Sequence, residues 1–425
     1  MKTFSDLMDL VDAIEMLREG YDPYYIRRRL GKAYLEALGM PFLKALRDIS
    51  RDWFRICLLR KILARLGVPL HVITWAAVGV YFVKKGLLNE DELCELVKRR
   101  AYFVKENFVR EALEIYDDLV KRLSEVEEIA LYEHYMPRWL LMKLKNLMRE
   151  DIIALCRALR RKRLWIRVNT LKAEINEVIK ELEGEGFIVE EDKDIDFVLK
   201  VVRGDEEKLR RSRVISEGLC FIQDKGSVLV VLAMDLEPGN LVVDYCAAPG
   251  MKTTLIAQLL EGKGTIIAVD ISRKRLMKMK RILRMAGAKD IQLLLADSRK
   301  LSMIKAEKAL VDPPCTSTGA LSKDPSIALR LKRRHIRRYS RIQRDIMRNI
   351  MRSAESVVYS VCSFLPEEGE AIIDQFINQE ARPVKPFEWP HRGWPGYRCS
   401  PFVIRLHPHL DECNGFFIAK LSKRS

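Results

Sequence analysis

Residues 1–128 repeat apolar side chains at three- and four-residue steps over long stretches, with few prolines and with glycines near the ends. That period predicts helices, most clearly over 46–66. The most apolar run, 68–83, is 16 residues long and contains Pro69, His71 and Gly79. A membrane helix needs about 20 residues, so the run is read as a buried helix of a soluble domain. Met136-Pro137-Arg138 interrupts the pattern, and 140–163 is helical again. The period then changes. Residues 164–168 alternate like a strand, 173–183 read as a helix, and 187–189 and 197–202 as strands, a small β-α-β-β unit. From about 216, short apolar runs closing on an acid alternate with helical stretches: Leu241 to Asp244, Ile266 to Asp270, Leu293 to Asp297 and Ala309 to Asp312, with a fifth run from Val357 to Ser360. Continuous apolar strands separated by helices predict a parallel sheet covered on both faces. The expected architecture is α/β in three parts: a helical domain at 1–128, a linker and small α+β domain at 129–215, and a doubly covered sheet at 216–425. Prolines concentrate between Pro383 and Pro408, so that region is expected to be rich in loops.

Charge adds a partner to this picture. The 425 residues carry 75 Lys and Arg against 59 Asp and Glu, a net charge of +16. Between 251 and 350 stand 24 basic and eight acidic residues, so the surplus is concentrated there. A surplus of this size favours a polyanion, nucleic acid or an acidic membrane surface. Arg330, Arg333, Arg334, Arg337, Arg338, Arg341, Arg344 and Arg348 recur at helical steps, opposite Ile336, Tyr339, Ile342, Ile346 and Ile350, with Asp345 the one acid among them. An ordinary solvated face mixes signs for i,i+4 pairing; this stripe reads as a nucleic-acid contact. A second cluster, Arg273, Lys274, Arg275, Lys278, Lys280, Arg281 and Arg284, contains no acid. The nine cysteines form no CxxC and no Cys/His group at zinc spacing, so neither a disulfide framework nor a metal site is expected. The N-terminus lacks the apolar core of a signal peptide, and a cytoplasmic monomer is the expectation.

The acid-ended strands carry the candidate chemistry. The first runs into Cys246-Ala247-Ala248-Pro249-Gly250-Met251-Lys252-Thr253. Ligands of open α/β sheets bind beyond the carboxyl ends of the strands, and small residues let a ligand approach the backbone. The stretch lacks GxGxxG and GxxxxGK[ST], which disfavours a nucleoside triphosphate. Asp270 stands where such folds accept ribose hydroxyls, and Asp297 closes the next strand. An acid at a strand end is often only a helix cap; three in succession favour an adenosine-containing cofactor. The fourth strand leads into Asp312-Pro313-Pro314-Cys315 and the fifth into Tyr359-Ser360-Val361-Cys362-Ser363. Two thiols are therefore expected on one rim. The other cysteines are read as inert packing, with Cys246 beneath the cofactor loop.

These motifs, with Arg167-Val168-Asn169-Thr170-Leu171-Lys172, Gln223-Asp224-Lys225-Gly226-Ser227, Arg405-Leu406-His407-Pro408 and Gly415 to Leu421, resemble RNA cytosine-C5 methyltransferases of the Nop/Sun (RsmB-like) type over roughly 130–425. The resemblance implies a Rossmann-like methyltransferase sheet, a small RNA-binding-like (RRM-like) domain, S-adenosylmethionine as cofactor and RNA as substrate. Cofactor contacts map to Cys246, Ala247, Ala248, Pro249, Gly250, Met251, Lys252, Asp270, Arg275, Asp297 and Asp312. The N-terminal helices are similar in size and placement to a NusB-like RNA-binding domain. Two departures stand out: Met251 where a second Gly is usual, and Val361 where a Thr whose hydroxyl could orient the thiol is usual.

Cytosine C5 is a poor nucleophile, and covalent addition of a thiolate at C6 activates it. DNA cytosine methyltransferases resemble the chain in a Pro-Cys nucleophile at the fourth strand, which would nominate Cys315. The RNA family uses the cysteine after the next strand, and since the surrounding motifs match that family, Cys362 is the expected nucleophile. The resemblance gives Cys315 the release step and Asp312, held by Lys252, the N3/N4 edge of the base. Ribosomal RNA is the expected target, with transfer RNA as alternative. A non-catalytic RNA-binding assembly factor is the rival class, although both thiols and all three acids are present. A small-molecule methyltransferase is disfavoured by the basic stripe and the long N-terminal region.

Overall fold

A computed structural model describes residues 2–19, 21, 23–30, 34–35, 40–101, 104–105, 107–122, 136–301, 304–377 and 381–423. They fall into two units, Met1–Arg160 with Leu321–Lys332, and Arg161–Ala320 with Arg333–Ser425. The first is helical. Its centre is the helix Leu70–Lys84, in which every residue from Val72 to Phe82 but Thr74 is buried. This is the apolar run expected to be a core helix. Helices Phe42–Arg51, Trp53–Arg65, Glu90–Lys98 and Phe108–Arg122 pack around it, with Ile49, Ile56, Leu63, Leu93 and Phe108 in one core. The single helix expected over 46–66 is divided at Asp52, whose buried carboxylate accepts from Tyr81 (3.0 Å) and Arg160 (3.0 Å). The stretch expected to be helical over 140–163 divides likewise, into Arg138–Met148 and Ile152–Leu159, at Arg149 with φ +51°. Among the described residues, no helix is long and apolar enough to cross a membrane.

The second unit holds two sheets. The smaller contains β1 (Leu164–Val168), β2 (Ile188–Glu191), β3 (Val198–Arg203) and β4 (Cys220–Ile222), in spatial order β2-β3-β1-β4 and antiparallel throughout. Helix α1 (Ile175–Gly184) buries Val178 and Leu182 in the core beneath it. Strand β4 was not expected from the sequence: only three residues long, it shows no alternation to read.

The larger sheet contains β5 (Leu241–Tyr245), β6 (Thr265–Asp270), β7 (Ile291–Leu295), β8 (Ala306–Val311), β9 (Ala354–Val361), β10 (Ala381–Val384), β11 (Ile404–Leu406) and β12 (Phe416–Lys423). Its order is β10-β12-β9-β8-β5-β6-β7, with β11 also on β12. Strands β5 to β9 are mutually parallel, and β12 runs antiparallel to β9. Alternate strand residues serve opposite faces. Val242, Leu310 and Val358 pack with α2 (Lys225–Leu232) and α3 (Met251–Leu259). On that side Ala268 meets Leu276, Met279 and Leu283 of α4 (Arg273–Met285). Val243, Val269, Val311 and Val357 pack on the other side with Ile346, Met347 and Ile350 of α5 (Arg333–Ile350). The doubly covered sheet is the expected Rossmann-like architecture. Sequence order reverses between β5 and β8, the switch point where such sheets open a crevice.

Candidate active site

The crevice at the β5/β8 switch point is closed by charge. Lys252, at the start of α3, donates to Asp312 Oδ2 at 2.6 Å, and Ser360 of β9 donates to Oδ1 at 3.1 Å. Burial works against the Lys252 charge, but the adjacent Asp312 carboxylate outweighs it and holds the ammonium above its ordinary pKa. The ammonium also lies 5.7 Å from the Phe416 ring centroid.

Beside this pair, Cys315 Sγ and Cys362 Sγ are 3.4 Å apart, and Ser317 Oγ is 3.7 Å from Cys315 Sγ. Both thiols are half-buried. The pair is asymmetric. The hydrogen bond from Cys315, opposed by burial and aided by Ser317 and the Lys252 charge, holds Cys362 below the usual thiol pKa. The same bond, with burial and the Cys362 charge, pushes Cys315 well up. Cys362 is thus the thiolate-prone sulfur of the pair. A depressed thiol pKa is what makes a cysteine nucleophilic near neutral pH.

A buried carboxylate ties the two thiol loops together. Glu368, fully buried, accepts from Thr316 N (2.9 Å), Thr316 Oγ1, Ser363 Oγ (2.7 Å) and Gln343 Nε2 (3.1 Å). Thr316 follows Cys315, and Ser363 follows Cys362. Gln343, on the buried face of α5, also donates to Pro314 O at 3.0 Å, fixing the arginine-bearing helix to the Cys315 loop. Fully buried Arg405 donates to Glu370 (3.0 Å) and to Ser363 O.

The proposed cofactor turn lies on the other side of Lys252. Cys246 has φ +63° and Gly250 φ +104°. A Cβ on Gly250 would stand 2.7 Å from Met279 Cγ, so this residue must be glycine for backbone and packing together. Ala248 N donates to Asp270 Oδ2 at 3.2 Å, and Ser272 N to Oδ1 at 2.8 Å. Exposed Arg275 bonds Ala248 O and lies 3.3 Å from Asp270. Asp297 accepts from Arg299 at 2.6–3.1 Å, which holds its carboxyl below the usual range.

Several expectations need correction. Asp244 does not end its strand: it lies inside β5, buried, accepting from Thr253 (2.6 Å), and burial raises its pKa to about 7. It is a structural acid, not a third ligand-facing one. Cys246 is part of the turn rather than beneath it, and burial pushes its thiol up to about 12. Val361 is fully buried in the core on the α5 side, a cluster against which Cys315 packs. Arg330 falls in a separate short helix, Ser326–Arg330, and pairs with Asp324; the arginine helix begins at Arg333. The other expected residues, Lys252, Asp312, Cys315 and Cys362, converge. Ser317 and Ser360, two residues from the thiols, were missed, as were Gln343, Glu368 and Glu370, because no sequence period marks a polar side chain that supports a loop from a distant element. Among the described residues, no group of three or more His, Cys, Asp or Glu could hold a metal.

Residues 231–422 match the family described as 16S rRNA methyltransferase RsmB/F, and 136–204 match the RsmF/B-like ferredoxin-like domain. An Arabidopsis thaliana 25S rRNA (cytosine-C(5))-methyltransferase, NSUN5, is 29% identical over 278 residues, 60% of this chain and 48% of the relative. A Pyrococcus horikoshii tRNA (cytosine(72)-C(5))-methyltransferase is 34% identical over 220 residues, 51% of this chain and 55% of the relative. A probable ribosomal RNA small subunit methyltransferase B of Bacillus subtilis is 28% identical over 270 residues, 61% of this chain and 59% of the relative. The chain spans about half to three-fifths of the length of these relatives. A crystal structure of PH0851 superposes with a TM-score of 0.72 at 26% identity, covering 99% of both chains. NSun6 from Pyrococcus horikoshii with SFG gives 0.61 at 26%, covering 68% of this chain and 98% of that one. Fold and site thus define a Rossmann-like methyltransferase sheet joined to a ferredoxin-like domain. The chain belongs to the RsmB/F, or Nop/Sun, methyltransferase family.

Proposed function

We propose that the protein is an S-adenosylmethionine-dependent RNA (cytosine-C5)-methyltransferase acting through a covalent Cys362–C6 adduct. The observation that carries this is the 3.4 Å approach of Cys315 and Cys362 beside the Lys252–Asp312 pair. Ribosomal RNA is the favoured target, since two of the three relatives above are named for it. Transfer RNA is the alternative, supported by the relative from Pyrococcus horikoshii.

In this proposal Cys246 to Lys252, Asp270, Arg275, Asp297 and Asp312 hold the methyl donor. The glycine at 250 keeps the turn free of a side chain, and the two acids pair with exposed arginines, 275 and 299. When bound, the donor supplies an electrophilic sulfonium methyl. The Cys362 thiolate adds to cytosine C6, which makes C5 nucleophilic. Asp312, oriented by Lys252 and Ser360, accepts from the N4 amine, a donor that uracil lacks. After methylation the Cys315 sulfur, its own proton passed to solvent once Cys362 is bonded to C6, takes the C5 proton; the C5–H bonding pair re-forms C5=C6 and expels Cys362 as the thiolate. Exposed Arg334, Arg337, Arg338 and Arg341 of α5, without ion pairs among the described residues, bind RNA phosphates. The division into 1–128, 129–215 and 216–425 is part of the same proposal, and limited proteolysis tests it.

Cys362→Ala should abolish both methylation and the covalent adduct. Cys315→Ala should permit the adduct and impair its release. The opposite pattern would reassign the nucleophile. Bisulfite sequencing of total RNA from cells with and without the gene identifies the target. Calorimetry showing no cofactor binding with or without RNA would favour the non-catalytic class.

A further inference from the structure

We infer that the exposed face of α4 is a second RNA-backbone surface, on the side of the sheet opposite the arginine helix α5. The substrate is then a folded RNA reaching both faces, not a short single strand. This rests on the RNA reading above. Helix α4 has no acid, and Arg273, Lys274, Arg275, Lys278, Lys280, Arg281 and Arg284 are all exposed. Among the described residues only Arg275 of these seven has an ion pair, with Asp270. Lys274 and Lys278, Lys278 and Arg281, Lys280 and Arg284, and Arg281 and Arg284 stand at like-charged i,i+3 or i,i+4 spacing, which destabilises an isolated helix. Among the described residues no acid pairs with the six basic side chains other than Arg275; a polyanion would offset that repulsion.

The face is tied to both functional regions. At its start Arg275 bonds Ala248 O of the proposed cofactor turn. At its end Ala286 O accepts from Asn169 (2.9 Å) and Met285 O from Lys172 (3.1 Å), residues that follow β1 of the small sheet. The basic surface therefore runs from the turn to the ferredoxin-like domain. Leu276, Met279 and Leu283 pack on the face of the sheet that carries Ala268, whereas Ile346 and Met347 of α5 pack on the face that carries Val269. Neighbouring strand residues point to opposite sides. An acidic membrane is the other polyanion to weigh. A helix lying in a membrane needs its apolar face free, and here that face is buried against the sheet.

The test compares the wild type with Lys274→Gln/Lys278→Gln/Arg281→Gln, none of which touches the site. An unmodified transfer RNA transcript and a short single-stranded RNA are the probes. The affinities are read by anisotropy across a potassium chloride series. For the transcript, the slope of log affinity against log salt should fall by about 2, at roughly 0.7–0.9 per lost phosphate contact. The short strand should bind both proteins alike, and S-adenosylmethionine affinity should be unchanged. An unchanged slope for the transcript overturns the inference, as does a loss seen only with phosphatidylserine vesicles. Failure of the wild type to bind either RNA would instead overturn the RNA reading itself.

Discussion

Glu368 offers the sharpest test of how the thiol rim is held. The carboxylate is fully buried and receives four hydrogen bonds, from Thr316 N, Thr316 Oγ1, Ser363 Oγ and Gln343 Nε2. Glu368→Ala strands the Thr316 N–H, and a buried unsatisfied donor costs about 1–3 kcal/mol. The emptied space adds a cavity term, so a total of about 3–5 kcal/mol is expected. Glu368→Gln is milder. Its carbonyl can keep Thr316 N and Gln343, while its amide faces two hydroxyls that can turn to accept. About 1–2 kcal/mol is expected for that change. Thr316 and Ser363 adjoin the two thiols, so the alanine variant should also lose adduct formation by about a hundredfold, equivalent to roughly 2.7 kcal/mol. The glutamine variant should stay within about tenfold. Burial raises the Glu368 pKa. Folding therefore favours its protonated form, and the associated stability is full below the ordinary carboxylate pKa and lost as pH rises through the raised value. Glu368→Gln should remove that part of the pH dependence. Urea unfolding across pH and denaturing gels of the RNA adduct measure both effects. An alanine variant that unfolds and forms adduct like the wild type refutes the clamp, as does a glutamine variant damaged equally.

Lys252→Met removes a cation that helps keep Cys362 below its usual pKa. The thiolate should then need higher pH, and the pH–rate profile of adduct formation should move upward; an unmoved profile would exclude the lysine from thiol activation. Arg405→Met leaves Glu370 buried without its charged partner, with only Trp394 N, among the described residues, still donating to it, for which a loss of about 3–5 kcal/mol in urea unfolding is expected. Gly250→Ala must place a Cβ at φ +104° and 2.7 Å from Met279 Cγ. A stability loss above roughly 1 kcal/mol and weaker S-adenosylmethionine binding by calorimetry should follow, and wild-type behaviour in both would show that the turn relaxes freely.

The pattern along the chain was enough for the helices and the parallel strands, because burial on one face or two imposes a period that each segment carries locally; β4 and the closing strands β10, β11 and β12, the last antiparallel to β9, were not read from it. The parallel strands, the apolar helix Leu70–Lys84 and the arginine helix were all legible, as were Asp312, Cys315 and Cys362, which follow strand ends, and Lys252, which opens the helix after β5. Folding alone decided how these residues relate. Asp244 proved structural because it is buried and accepts from Thr253, and Val361 lies in the core cluster against which Cys315 packs. The Cys315–Cys362 contact, and the clamp that Glu368 and Gln343 place on both loops, join residues far apart in the chain. Such contacts leave no periodic trace in sequence; they exist only once the sheet brings its carboxyl ends to one rim.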